Sequence, residues 1–206
     1  MNYLQANQGR DITTPKNAIK YLTEAQINAL TGEFQGFYDN ADNNRISKGR
    51  YWLTFLAIRF TGARLGEVLN IDDSRDIDYR NSEIKLLNEK RRNRKEYRQV
   101  PVPSNVIAEI SRYLMEYPTM KGKVFKLAQG NFRRTFYQIA EKAGIPKDLG
   151  HPHTLRHSRA IETLRGGVNV SAVQQILGHS SLTTTAVYLR LSGAEIKQEL
   201  REKGFI

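Results

Sequence analysis

Apolar residues return at helical spacing soon after residue 20, where Ile27, Leu30, Phe34 and Phe37 fall on one face. Thr23 followed by Gln26 is a capping-box pair and places the start of this first helix. A second helix is expected over about 48–60. There Trp52, Phe55, Leu56 and Ile58 occupy most of the circumference, the mark of a deeply buried element, and Thr61-Gly62-Ala63 ends it. Between residues 71 and 102 the period changes to two: Ile77 and Tyr79 alternate with Asp, Ile84 and Leu86 with Glu83 and Lys85, and Val100 and Val102 flank Pro101. This predicts a small antiparallel sheet of about three strands. Pro101 has no N–H to donate, so its strand is an edge or is near its end.

From Ser104 the helical spacing resumes, with Val106, Ile107, Ile110 and Leu114 on one face and Phe132, Phe136, Ile139 and Ala143 on another. Gly144 and Pro146 form a stop signal. Shorter helices are expected at 155–164, ending at Gly166-Gly167, at 171–177, ending at Gly178, at about 182–189, and at 194–202 with Ile196 and Leu200. The expected fold is mainly α with a small antiparallel β-sheet, an α+β class. One domain spans 20–206. Residues 1–19 are polar and without periodicity, and read as a flexible lead-in.

With 39% hydrophobic and 26% charged residues, the chain has the make-up of a globular domain rather than a disordered one. No uninterrupted apolar run approaches the ~20 residues a membrane helix needs, and the amino terminus has no apolar signal core. The sequence contains no cysteine, which removes disulfide and thiolate chemistry and agrees with a cytosolic setting. The charge changes the picture more: 32 Lys and Arg against 21 Asp and Glu give +11, which favours a polyanionic partner such as double-stranded DNA. A solvated basic surface is the competing explanation.

All four histidines, His151, His153, His157 and His179, fall in one late segment that also holds Arg156 and Tyr188. A metal site is one reading of such a cluster. It is disfavoured because no cysteine is present and no carboxylate stands beside the histidines in an HExxH-like arrangement, so no metal and no cofactor are expected. Capping or packed core histidines are the other reading.

The longer strings change the balance. Thr61-Gly-Ala-Arg64-Leu-Gly-Glu67 is followed far downstream by His153-Thr-Leu-Arg156-His157, and then by Leu177-Gly178-His179, with Tyr188 nine residues after that histidine. In order and spacing this resembles the tyrosine recombinases, also called phage integrases, over nearly the whole chain from Tyr21. The resemblance implies a site-specific DNA recombinase that cleaves and rejoins strands through a covalent 3′-phosphotyrosine, without metal or ATP. In that reading Tyr188 is the nucleophile and Arg64 and Arg156 clamp the phosphate. Planar guanidinium forks match non-bridging phosphate oxygens bidentately, and two of them supply the positive charge that a metal would otherwise bring. A phenol with an ordinary pKa of about 10 needs a base and a positive field. His153 is the candidate for assisting proton removal and His179 for a hydrogen bond to a phosphate oxygen. Glu67 orients Arg64, and His157 supports the site from behind. A packed core role is the alternative for Tyr188.

The leaving 5′ oxygen needs a proton, which the resemblance assigns to a lysine on the hairpin between the second and third strands. Lys90 at the strand exit is chosen, with Lys95 as runner-up. Arg91, Arg92, Arg94, Lys95 and Arg98 of the same hairpin are expected to contact DNA, or else to form a solvated charge run. The family's separate amino-terminal clamp domain has no counterpart in about 20 lead-in residues. The chain is therefore expected to be either an excised catalytic fragment or a catalytic-domain-only protein of the fimbrial-switch type, with Met1 favouring the second and weak monomer affinity in both. The resemblance also implies a homo-tetramer on DNA that exchanges the C-terminal helix, for which Ile196, Leu200, Phe205 and Ile206 form the apolar face. Two other classes compete. One is a non-catalytic helix-turn-helix regulator built on 171–189, and the other is a metal-dependent nuclease using Asp72, Asp73, Asp76 and Asp78.

Overall fold

A computed structural model describes residues 19–88 and 96–179 together with 181, 185, 187, 188, 193, 200, 201 and 204–206. Helix α1 (Glu24–Asp39) opens on the Thr23 cap, with both halves of the Thr23/Gln26 capping box formed, and buries Ile27, Leu30, Phe34 and Tyr38. Helix α2 (Arg45–Thr61) begins three residues before the periodicity suggested, after Asn44 in the left-handed conformation. It is the central element. From Trp52 to Arg59 every side chain is buried, because α1, α4 (Ser104–Glu116) and α6 (Pro152–Arg165) pack around it. The core centres on Phe34 stacked on Phe55 at 4.2 Å, with Phe132 and Phe136 of α5 (Gln129–Lys142) closing around Phe34.

The sheet is three-stranded and antiparallel in the order β1 (Ile77–Asp78), β2 (Glu83–Leu87), β3 (Tyr97–Pro101). Pro101 is the last residue of β3 and stands opposite Glu83, where its missing N–H is not needed by the ladder. Ile84, Leu86 and Val100 point into the core, while Lys85, Tyr97 and Gln99 face outward.

Two elements escaped the sequence reading. Helix α3 (Leu65–Leu69) has only five residues, too few to show a period, and a single 3-10 turn covers Pro118–Met120. Helix α6 starts at Pro152, earlier than the apolar spacing indicates, because proline is well suited to the first helical turn. Helix α7 (Val170–Leu177) runs from an Asn169 cap to Gly178. Thr185, Val187 and Tyr188 are helical, as are Leu200 and Arg201. The remainder of the expected helices at 182–189 and 194–202, like the lead-in at 1–18, lies outside the described residues. Among the described residues no helix is long and apolar enough to cross a membrane.

Candidate active site

The segment between α2 and α3 explains the Thr-Gly-Ala-Arg string. Gly62 ends α2 at φ +62, and a Cβ there would stand 2.8 Å from Leu177 Cδ2, so the position needs glycine both for its backbone and for the close passage of α7. Arg64 then caps α3. Glu67, one turn on, accepts from the Arg64 backbone N–H at 3.0 Å and from Arg64 Nη1 at 2.8 Å. Its other strong partner comes from the sheet: Arg98 Nη2 donates to Glu67 Oε2 at 2.6 Å. The Glu67 side chain is 0% exposed. Burial alone would raise its pKa, but hydrogen bonds and charge from Arg98 and Arg64 outweigh it and hold the carboxyl below its ordinary value.

Arg98 departs from the expectation of a DNA contact. Its guanidinium turns inward, with Nε on the Ile176 carbonyl at 2.8 Å, Nη1 on Asn88 Oδ1 and Nη2 on Glu67, and its side chain is 8% exposed. The alternation of the sheet explains this, since Arg98 lies on the face of β3 that packs against α7, two residues from Val100. Lys90, Arg91, Arg92, Arg94 and Lys95 lie outside the described residues.

Arg156 is 1% exposed, among the most buried large side chains of the protein. Nη1 donates to the Gly62 carbonyl at 2.8 Å and Nη2 to the Leu177 carbonyl at 2.8 Å. Those carbonyls end α2 and α7, so two negative helix termini converge on one guanidinium. Burial, and then the neighbouring Arg64 charge, push its pKa down to about 10, which leaves it cationic at neutral pH. Gly178, at φ +66, closes α7. A Cβ here would meet Asn88 Oδ1 at 2.7 Å and Arg98 Nη1 at 2.8 Å, which accounts for glycine in the Leu-Gly-His string.

His179 follows, with Nδ1 2.9 Å from Thr185 Oγ1 and its ring nearly parallel to that of Tyr188 at 6.2 Å. Tyr188 is 3% exposed and packs in an apolar cluster with Ala160, Ile161, Leu164, Val173 and Leu177. Its hydroxyl shares a 2.7 Å hydrogen bond with Nδ1 of His157, and the His157 ring stands edge-on to that of His153 at 4.5 Å. The geometry therefore differs from the sequence expectation: it is His157 that touches the hydroxyl. His153 and His157 share one face of α6, and the difference is axial: His153 stands one turn nearer the helix start and is exposed, while the half-buried His157 reaches the Tyr188 hydroxyl. Burial raises the Tyr188 pKa against the opposing pull of Arg156 and Arg64, whereas burial, His153 and Arg156 together push His157 down to about 4.

Two open clefts meet at Arg64. One, about 820 Å³, is lined by Arg64, Arg98, Gln99, Gln175, Gly178 and His179. The other, about 430 Å³, is lined by Arg64, His153, His151, Tyr137, Arg133 and Gln129. Arg133 and Tyr137 were not singled out in the sequence, where they read only as the polar face of α5. Their spacing of four residues was the available signal. The structure thus gathers Arg64, Glu67, Arg156, His153, His157, His179 and Tyr188 from four separate stretches of chain into one neighbourhood. Two guanidiniums, imidazoles and a phenol so arranged are equipped to hold an oxyanion and present a nucleophile to it.

Residues 20–195 match the phage integrase family. The chain belongs to that family. Among phage integrase relatives, a tyrosine recombinase of Thermosipho africanus is 33% identical over 183 residues, covering 85% of this chain and 58% of the relative. The crystal structure of XerA recombinase superposes with a TM-score of 0.70 at 25% identity, over 96% of this chain and 66% of that one. The fold is also that of XerH in its post-cleavage complex with a palindromic difH substrate, at a TM-score of 0.71 and 24% identity, over 92% of this chain and 54% of that chain. This integrase-family chain therefore spans about 58% of the length of the first of these relatives.

The aspartates at 72–78 are engaged in backbone capping. Asp72 and Asp78 accept from N–H groups of their own turns, and the buried Asp73 accepts from Gly122 and Val124. Among the described residues no group of three or more His, Cys, Asp or Glu is placed to hold a metal.

Proposed function

We propose that this chain is the catalytic domain of a site-specific DNA recombinase that cuts and rejoins double-stranded DNA through a 3′-phosphotyrosyl bond on Tyr188. The observation that carries this reading is the convergence of Arg156, held by two helix ends, with Arg64, His179 and Tyr188 around one site. Arg64 and Arg156 neutralise the charge that grows on the non-bridging oxygens, and His179 donates to one of them. Glu67 keeps Arg64 in place. Tyr188 attacks phosphorus, the 5′ oxygen leaves with a proton supplied by Lys90 or Lys95, and the phosphotyrosyl bond conserves the energy for rejoining, so neither ATP nor metal is required. His153, at the mouth of the cleft beside Arg64, is available for proton exchange with solvent.

Residues 20–206 form this domain and the basic hairpin follows the DNA backbone. Four copies assemble on DNA in the cytosol, each passing its C-terminal segment to a neighbour. Phe205 and Ile206, 71% and 68% exposed, support an apolar tail that awaits such a surface. Incubation with a nicked suicide duplex in EDTA is expected to give a denaturation-resistant adduct, abolished in Tyr188→Phe. A helix-turn-helix regulator would bind the duplex and give none, which would end the proposal. Deleting residues after Gly193 should abolish higher-order assembly on DNA, and unchanged assembly would refute the exchange.

A further inference from the structure

We infer that His157 is a further catalytic residue of this site, whose Nδ1 holds the Tyr188 hydroxyl and receives its proton as the phosphotyrosyl bond forms. The inference rests on the assignment of Tyr188 as nucleophile, and begins from the 2.7 Å contact between Nδ1 and the hydroxyl oxygen. The cluster in which the ring packs is apolar. A buried phenol cannot pass its proton to an aliphatic wall. The hydrogen bond to His157 Nδ1 is the path along which that proton can leave.

The surroundings suit an unprotonated imidazole. Burial, and after it His153 one turn before and Arg156 one residue away on the same helix, keep His157 neutral and able to accept at Nδ1. When phosphate occupies the Arg64 and Arg156 clamp, its negative charge offsets those fields and makes an imidazolium at His157 affordable at the moment of attack. The Oη–P bond forms, the Oη–H proton moves to His157 Nδ1, the P–O5′ bond breaks, and the 5′ oxygen takes a separate proton. On religation the same imidazolium returns the proton to Oη. His153, exposed and edge-on to His157 at 4.5 Å, lines the cleft beside Arg64.

The test compares wild type, His157→Ala and His157→Asn in single-turnover adduct formation on the nicked duplex. Two leaving groups are used, the natural 5′ oxygen and a bridging 5′-phosphorothiolate, which departs without a proton. Both variants should slow adduct formation about 100-fold or more with either leaving group. Added imidazole should restore part of the rate in His157→Ala, whose cavity admits it, while Arg156-dependent DNA binding stays near wild type. A purely structural role would not be rescued by imidazole. Independently of DNA, nitrogen-15 spectra of the protein at neutral pH should show Nδ1 of His157 unprotonated and shifted in Tyr188→Phe. Variants as fast as wild type, or a rate recovered with the phosphorothiolate, would overturn the proposal, as would a protonated Nδ1. If His157→Ala does not fold, His157→Asn and the spectra decide. Absence of any adduct in wild type would count against Tyr188 chemistry as a whole, whereas a protonated Nδ1 would count against His157 alone.

Discussion

Replacing Glu67 by Gln keeps the shape of the side chain and removes one buried charge from between two arginines. In the native protein the two carboxylate oxygens accept from Arg64 N, Arg64 Nη1 and Arg98 Nη2 at 3.0, 2.8 and 2.6 Å. An amide keeps one acceptor and must turn its NH2 toward a donor, so at least one of the two guanidiniums loses its hydrogen bond to residue 67 and both lose the carboxylate charge. Removing one member of a buried ion pair costs about 3–5 kcal/mol. The retained acceptor, and an Arg64 side chain 21% exposed that can turn to solvent, place Glu67→Gln at the low end, about 3 kcal/mol. In a domain of this size that is a melting temperature lower by about 6–12 °C. The carboxyl is held below its ordinary pKa, so its stabilisation is complete above the usual carboxylate range and is lost as pH falls through the lowered folded value. The gap between wild type and Glu67→Gln should therefore close in acid. Adding Arg98→Leu removes a buried cation that has lost its carboxylate, so the double variant should be more stable than the sum of the singles predicts. Urea denaturation of the four proteins at neutral and acidic pH measures all of this. A loss below about 1 kcal/mol for Glu67→Gln, or strict additivity with Arg98→Leu, would refute the account of the network.

Gly178→Ala combines a left-handed backbone with displacement of Asn88 and Arg98, and should destabilise by about 2–4 kcal/mol in urea titrations. His157 is neutral in the folded protein and ionises more easily when unfolded. Its share of stability is present above its ordinary value of 6.5 and is lost as pH falls toward the folded value of about 4. After allowance for partial solvent screening this amounts to about 1–2 kcal/mol, and His157→Gln should flatten that window in acid melting curves. Arg133 lines the cleft beside Arg64 and His153, so Arg133→Ala should weaken duplex binding across sequences and lower the slope of affinity against salt by about one phosphate contact. An unchanged slope would remove α5 from the DNA path.

What the chain alone determined is whatever depends on local order. The capping box at Thr23, the deep burial of α2, the period-two sheet with Pro101 at a strand end, and the glycine stops at 62, 144 and 178 follow from backbone preference and side-chain alternation within a few residues. The boxes around Arg64, Arg156 and His179 were equally legible, because their spacing is a property of the string. Helix α3 was not, being too short to show a period. Tertiary structure alone decided the partners. Arg98 meets Glu67 across 31 positions, Arg156 meets the Gly62 carbonyl across 94, and Tyr188 meets His157 rather than His153 across 31. No residue type announces such contacts in advance. They arise because packing α2, α6 and α7 together buries polar groups that must then find each other, and a displacement of one turn along α6 chooses which imidazole meets the phenol.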